Sequence, residues 1–353
     1  MKGQKRIRDY GIVVGGMETG MLNSITDVEG VKVGHVTLDG GEMKTGVTAI
    51  LPHGGNIFKE KVRAAVHVIN GFGKTMGTIQ IEELGTIETP IVLTNTLSIG
   101  AACDGLIDYM ILNNPDICST TGSVNPVVCE CNDQYLNDIR GKRIKGEHVF
   151  EAIENAGVDF EEGAVGAGTG MACLGLKGGI GTASRVMDMD GKTYTMGALV
   201  MSNFGTGEDL LIDGIKAGKI IKGIEELNGP KEDKGSIIML IATDIPLTER
   251  QLKRVCKRAG VGLSRTGSHI GNGSGDIVIS FTTANRVMHY QDRDIVDMKV
   301  LNENRMDKVF RAAAESIEEA ILNSLICAKT TIGKEGHTRK SLCEYMDRIF
   351  SSR

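Results

Sequence analysis

The sequence predicts a single α/β unit spanning residues 1–353, with strands and helices interleaved and the helices lying outside the sheets. Three observations carry this. Apolar runs of strand length recur between turn-forming residues, and between them lie segments whose apolar positions repeat at helical spacing. Glycine is abundant, 47 of 353 residues, without a collagen period, as tight turns between packed sheets require. No low-complexity linker divides the chain.

The elements follow in order. Residues 9–35 read as short extended pieces broken by glycine. Within them 31–36 alternates as a strand does, and Gly34-His35 marks a bulge or bend. Strands are expected at 45–52, closed by Pro52, at 63–68, leading into Asn70-Gly71-Phe72-Gly73-Lys74, and at 90–96. The small residues 98–102 open a helix through Leu112, and 127–130 is a short apolar run ending in Glu130. A helix over 146–157 presents Val149, Ile153 and Ala156 on one face. The glycine-rich stretch 163–171 superficially matches a dinucleotide fingerprint. The following Lys177-Gly178-Gly179-Ile180-Gly181 is not helical, which speaks against that use. Residues 194–202 form a buried strand ending at Asn203.

The breaker-rich segment 227–235 reads as an exposed loop, and 237–242 as a buried strand. Thr248-Glu249-Arg250-Gln251 is a capping box for a helix with Leu252, Val255, Cys256 and Ala259 on one face and Gly260 as its stop. A strand at 276–283 and the longest helix, 307–328, complete the chain. That helix turns Val309, Ala313, Ile317, Ala320, Ile321 and Leu325 inward.

Composition narrows the function classes. A net charge of −5, no long basic run, 4% aromatic residues and no tryptophan argue against nucleic-acid binding. No apolar run of about 18 residues is present, so no membrane span is expected. The basic N-terminus lacks the apolar stretch of a signal peptide. A cytoplasmic location is expected, with the eight cysteines as thiols. Cys129-Glu130-Cys131 lacks the partner spacing of a zinc site, so no metal or cofactor is expected.

Three features carry chemistry. Ser236, after Gly235, is either a polar residue opening a strand or a nucleophile at a cleavable Gly-Ser bond, whose scission frees an amine beside its own hydroxyl. Gly235, with no side chain, suits the strained, exposed turn such scission needs. Ser274 and Asp276, two apart in a glycine frame, fall on one side of a strand, as a turn or as groups that orient a nucleophile. Asn203 offers a side-chain amide suited to an oxyanion.

With these residues the chain resembles the self-processing aminopeptidases that include L-aminopeptidase/D-esterase and β-peptidyl aminopeptidase. The resemblance runs from 25–35 to the C-terminal helix. It is carried by Asn70-Gly71-Phe72-Gly73-Lys74, Gly166-Ala167-Gly168-Thr169-Gly170-Met171, Lys177-Gly178-Gly179-Ile180-Gly181-Thr182, Gly235-Ser236, Ala242-Thr243-Asp244 and Gly273-Ser274-Gly275-Asp276. The family implies a four-layer αββα sandwich, like that of ornithine acetyltransferase. It also implies autocleavage into an α chain, 1–235, and a β chain, 236–353, assembled into homo-oligomers. Carried over, Ser236 is the nucleophile, Ser274 and Asp276 tune it, Asn203 serves the oxyanion, and Glu130 holds the amino group of a small peptide or amino-acid amide. The family often has tyrosine two residues after that glutamate. Here the position is Asn132, with Tyr135 displaced nearby. The competing readings are an acyltransferase of the ornithine acetyltransferase type and an unprocessed, non-catalytic binding protein.

Overall fold

The computed structural model describes residues 4–224 and 235–351. Nearly all of the loop read at 227–235 and the first three residues of the basic N-terminus lie outside them. In chain order the elements are β1 (Lys32–Gly40), β2 (Met43–Leu51), β3 (Glu60–Gly71), α1 (Thr78–Leu84), β4 (Thr86–Ile87), β5 (Ile91–Asn95), α2 (Ile99–Asn113) and β6 (Val127–Cys131). Then come α3 (Gly146–Glu154), β7 (Ala172–Cys173), β8 (Leu176–Lys177), β9 (Gly179–Met189), β10 (Lys192–Asn203) and α4 (Ala217–Ile224). The C-terminal third adds β11 (Ser236–Thr243), α5 (Glu249–Arg265), β12 (Gly275–Met288), α6 (Met306–Ile326), β13 (Thr331–Ile332), β14 (Thr338–Arg339) and α7 (Met346–Ile349).

Among the described residues two sheets dominate, one ordered β1-β2-β5-β6 and one ordered β4-β3-β12-β11-β10-β9. Period-two alternation shows how they stack. Ile237, Met239 and Ile241 of β11 join a core with Val255 and Leu263 of α5 and Ile317 and Ile321 of α6. Ile238, Leu240 and Ala242 join a second core with Ile50, Leu93 and Cys129 of the other sheet. The far side of that sheet is covered by Leu106 of α2 and Val149 and Ile153 of α3. The order is thus helix, sheet, sheet, helix, and β11 is buried on both faces, which explains its unbroken apolar run.

The N-terminal segment and β9 are fastened to α6 by charges. Arg185, fully buried, reaches Glu315 at 3.1 Å and Glu319 at 2.7 Å, and Arg8 joins Glu319 at 2.6 Å. Such pairing offsets part of the cost of taking these charges out of water.

Two local expectations are corrected. Gly34-His35 is not a bulge: β1 pairs with β2 in unbroken register, and Gly34 is needed because a Cβ there would overlap the Ala152 carbonyl of α3. Gly260 does not stop α5, which runs to Arg265 because the buried Gly262 and Leu263 keep it packed on α6. No helix among the described residues is long and apolar enough to cross a membrane.

Candidate active site

Register places three residues in a row at one end of the larger sheet. Asn203 closes β10, Ser236 opens β11 and Gly275 opens β12; Ser236 faces Asn203 across one ladder and Gly275 across the other. Ser236 shares the parity of Ile238 and Leu240, so its side chain faces the space between the sheets. It is only 6% exposed.

The Gly235–Ser236 peptide is held closely. The Ser236 hydroxyl donates to the Gly235 carbonyl at 2.7 Å. The Gly275 N–H points at the same carbonyl oxygen and at Ser236 Oγ, 3.3 Å from each. If Oγ attacked this carbonyl its own hydrogen bond would be lost, and the Gly275 N–H would be the donor left on the oxygen that carries negative charge. Neither neighbouring glycine tolerates a side chain. A Cβ at Gly235 would overlap the Asn203 carbonyl oxygen, and one at Gly275 would stand 2.6 Å from the Phe72 carbonyl oxygen. Close approach in a packed site, rather than the freedom of an exposed turn, is what the structure demands of Gly235.

Asn203 is oriented at both ends of its carboxamide. Its Oδ1 accepts from the Ala172 N–H at 2.9 Å, and its Nδ2 donates to the Asn132 carbonyl at 3.0 Å. Behind the row, Ser274 Oγ donates to Asp276 Oδ1 at 2.7 Å, both buried. In the continuous chain, among the described residues, Ser274 makes no hydrogen bond to Ser236, so the orienting link expected from sequence is not formed.

Glu130 arrives from the other sheet. Strand β6 ends against β10, where Cys131 Sγ contacts the Met201 carbonyl at 3.6 Å. Burial pushes the Cys131 thiol well up, so it stays protonated. The free edge of β6 is covered by the chain leaving β3, with Met76 bridging Val128. This brings the Lys74 N–H to Glu130 Oε1 at 2.9 Å, while the Thr96 hydroxyl donates to Oε2. Glu130 is 3% exposed. Gly73 links the two halves: a Cβ there would lie 3.6 Å from Glu130 Oε1 and 3.8 Å from the Gly275 Cα. Asn70 fixes the opposite wall by donating to the carbonyls of Gly271, Asn272 and Ser274.

The remaining expected residues sit differently. The Asn132 side chain caps the Gln134 N–H at 3.0 Å, so this residue meets Asn203 through its main chain. Tyr135 is turned to the C-terminal segment, its ring stacked on His337 at 4.6 Å with the Arg339 guanidinium 3.7 Å from its centre. Sequence reasoning missed the Gly275 N–H, for which the glycine between Ser274 and Asp276 was the available signal. It also missed Thr96, for which there was none.

The chain resembles known proteins over nearly its whole length. The model of Peptidase family S58 matches residues 23–339. The chain is 39% identical to β-peptidyl aminopeptidase BapA of Sphingosinicella microcystinivorans, over 96% of this chain and 89% of that one. The PH0078 protein from Pyrococcus horikoshii OT3 superposes with a TM-score of 0.93 at 55% identity, covering 98% of this chain and 99% of that one. The L-aminopeptidase D-Ala-esterase/amidase of Ochrobactrum anthropi, a prototype for the serine aminopeptidases and a variant of the Ntn-hydrolase fold, gives 0.89 at 36% identity, over 98% and 99%. A match over nearly the whole chain, in family, sequence and fold alike, shows that this protein belongs to peptidase family S58 and is an Ntn-type hydrolase of the serine aminopeptidase kind.

Proposed function

We propose that the chain cuts itself between Gly235 and Ser236, giving an α chain of 1–235 and a β chain of 236–353, and that Ser236 then releases N-terminal residues from small peptides, amides or esters. The observation that carries this reading is that the Ser236 hydroxyl lies against the Gly235 carbonyl while the Gly275 N–H points at the same carbonyl oxygen. In the cut, Oγ bonds to the Gly235 carbonyl carbon, the C–N bond breaks, and the Ser236 nitrogen takes the proton; water then hydrolyses the ester.

The freed α-amine, with a reference pKa of ~7.7–8.0, is partly neutral near pH 7 and can serve as the base for its own hydroxyl. In turnover it takes the Oγ proton while Oγ bonds to the substrate carbonyl, and passes that proton to the departing amine or alcohol. Asn203 and the Gly275 N–H meet the oxyanion, and water releases the acyl group. Ser274, held by Asp276, is assigned to orient the new amine. Glu130, desolvated and accepting from Lys74 and Thr96, pairs with the substrate ammonium. Asn132 reaches this end of the site through its main-chain carbonyl, while Tyr135 is turned to the C-terminal segment.

We further read the mature enzyme as a cytoplasmic homo-oligomer of cut units. Eight free cysteines suit a reducing compartment. Between β12 and α6 an extended stretch leaves Ile295 86% exposed, with Val296 and Val300 half exposed, a surface another copy would cover. The test is a denaturing gel with intact-mass measurement, then a panel of amino-acid anilides and amides. A single full-length band from an active enzyme would sink the self-cleavage reading, and light scattering reports the assembly.

A further inference from the structure

Lys177 is fully buried, yet among the described residues it forms no ion pair. Its three ammonium protons all go to main-chain carbonyls, those of Gly168 at 3.0 Å, Met171 at 2.8 Å and Gly178 at 2.8 Å. A cation stripped of water and spent on three main-chain carbonyls is costly to keep, and burial pushes its pKa down to about 7. Asp133 and Asp39 oppose that shift, and Asp133 is itself pushed up to about 7 by burial.

The position of one carbonyl suggests what the cation does. Met171 C=O and Ala172 N–H are the two ends of a single peptide group, and in a trans peptide they point in opposite directions. The C=O end receives the Lys177 ammonium; the N–H end donates to Asn203 Oδ1 at 2.9 Å. Asn203 Nδ2 has two protons, of which one goes to the Asn132 carbonyl, leaving the other for the substrate side. The path from charge to site is therefore Lys177 ammonium, Met171–Ala172 peptide, Asn203 carboxamide, and then the oxygen of the reacting carbonyl.

We propose that Lys177 is a positioning residue for the oxyanion site, acting through the Met171–Ala172 peptide to orient and polarise the Asn203 amide. Aligned dipoles in a dry environment strengthen one another, and a positive charge behind them makes the last N–H a better donor to developing negative charge. The benefit grows as the carbonyl becomes tetrahedral, so it belongs to the transition state more than to substrate binding. This inference rests on the assignment of Asn203 to the oxyanion.

The experiment compares Lys177→Met, Asn203→Ala and the double variant by steady-state kinetics on an amino-acid anilide, using chains that a denaturing gel shows to be cut. For a folded variant that stays whole, the rate of cutting replaces kcat. Lys177→Met is expected to lower kcat by on the order of 10–100-fold with KM changed less than about threefold, and to add less than about threefold in the Asn203→Ala background. Lys177→Gln, which keeps hydrogen bonding without charge, is measured beside it and stands in if the Met variant loses its thermal unfolding transition. A loss in KM equal to that in kcat, or an equal loss in both backgrounds, would overturn the relay. A normal Lys177→Met beside an impaired Asn203→Ala overturns the relay alone. Unimpaired Asn203→Ala removes the oxyanion assignment on which it rests.

Discussion

The two sheets bring different things to the site. The larger one supplies Asn203, Ser236 and the Gly275 N–H, neutral groups whose spacing is set by strand register and cannot drift without unpairing β10, β11 or β12. The smaller one supplies a single charge, Glu130, held by donors from segments outside its own strand. On the proposed assignment, bond-making geometry is thus set by the larger sheet's ladder, while the recognising carboxylate, itself on β6, is oriented by connecting segments. On that assignment self-cleavage would need only the first, and aminopeptidase turnover both.

The largest break in this contrast is Ser236→Ala, which removes the hydroxyl needed for both reactions. The variant should remain one full-length band and show no anilide hydrolysis; two chains on the gel would place the nucleophile elsewhere. Next is Asp276→Asn, which weakens the acceptor for Ser274 Oγ. A loss on the order of 10²–10⁴ in kcat is expected, by analogy with general acid–base groups. Ser274→Ala should cost a similar factor. The double change should cost far less than the product, and fully multiplicative losses on cut enzyme would separate the two residues.

Glu130→Gln tests the other sheet. It should cut itself at the normal rate but lose about 100-fold in kcat/KM on free-amine substrates, since a hydrogen bond to a charged group is worth about 1.5–3 kcal/mol. Slowed cutting in this variant would show that recognition and self-cleavage are not separable. Removing only its partner, with Thr96→Val, should raise KM by about tenfold or less and leave kcat nearly unchanged in the same assay.

The smallest effect concerns His35 on β1, whose ring contacts Thr48 Oγ1 at 2.9 Å and the Glu161 carbonyl at 3.1 Å. Burial lowers its pKa from 6.5 to about 4. The unfolded chain therefore takes up this proton first on acidification, so stability present above pH 6.5 is lost as the pH falls toward 4, by up to about 3 kcal/mol. Thermal unfolding of His35→Gln should be less acid-sensitive over that window, with catalysis at pH 7 unchanged. Identical acid sensitivity of the two proteins would discount the histidine.

Much of the fold was legible because its signals are local. The unbroken apolar run of β11, the capping box at Thr248 and the helical face from Val309 to Leu325 all stand where periodicity puts them. The chemistry-bearing residues could be found one at a time, since glycine precedes Ser236 and Asp276 and flanks Ser274. Their mutual arrangement could not. The pairing of Asn203 with Ser236 depends on β10 lying beside β11, and the Gly275 N–H carries no side-chain signature at all. Misreadings at Gly34 and Gly260 share a cause. A glycine needed for close contact with another element looks, in one dimension, the same as a glycine that ends or bends its own.

The strand order has a consequence for the life history of the molecule. Strands β11 and β12 lie between β3 and β10, so a cut at Gly235–Ser236 leaves two strands of one polypeptide zipped between strands of the other. The ties from Arg8 and Arg185 to Glu315 and Glu319 would cross the same divide. Separately made halves would each expose bare strand edges, which are templates for aggregation. Maturation by this route is a one-way sequence: the whole chain must fold as a single covalent object first, and the scission then converts it into two polypeptides that can part only by tearing open the middle of a sheet.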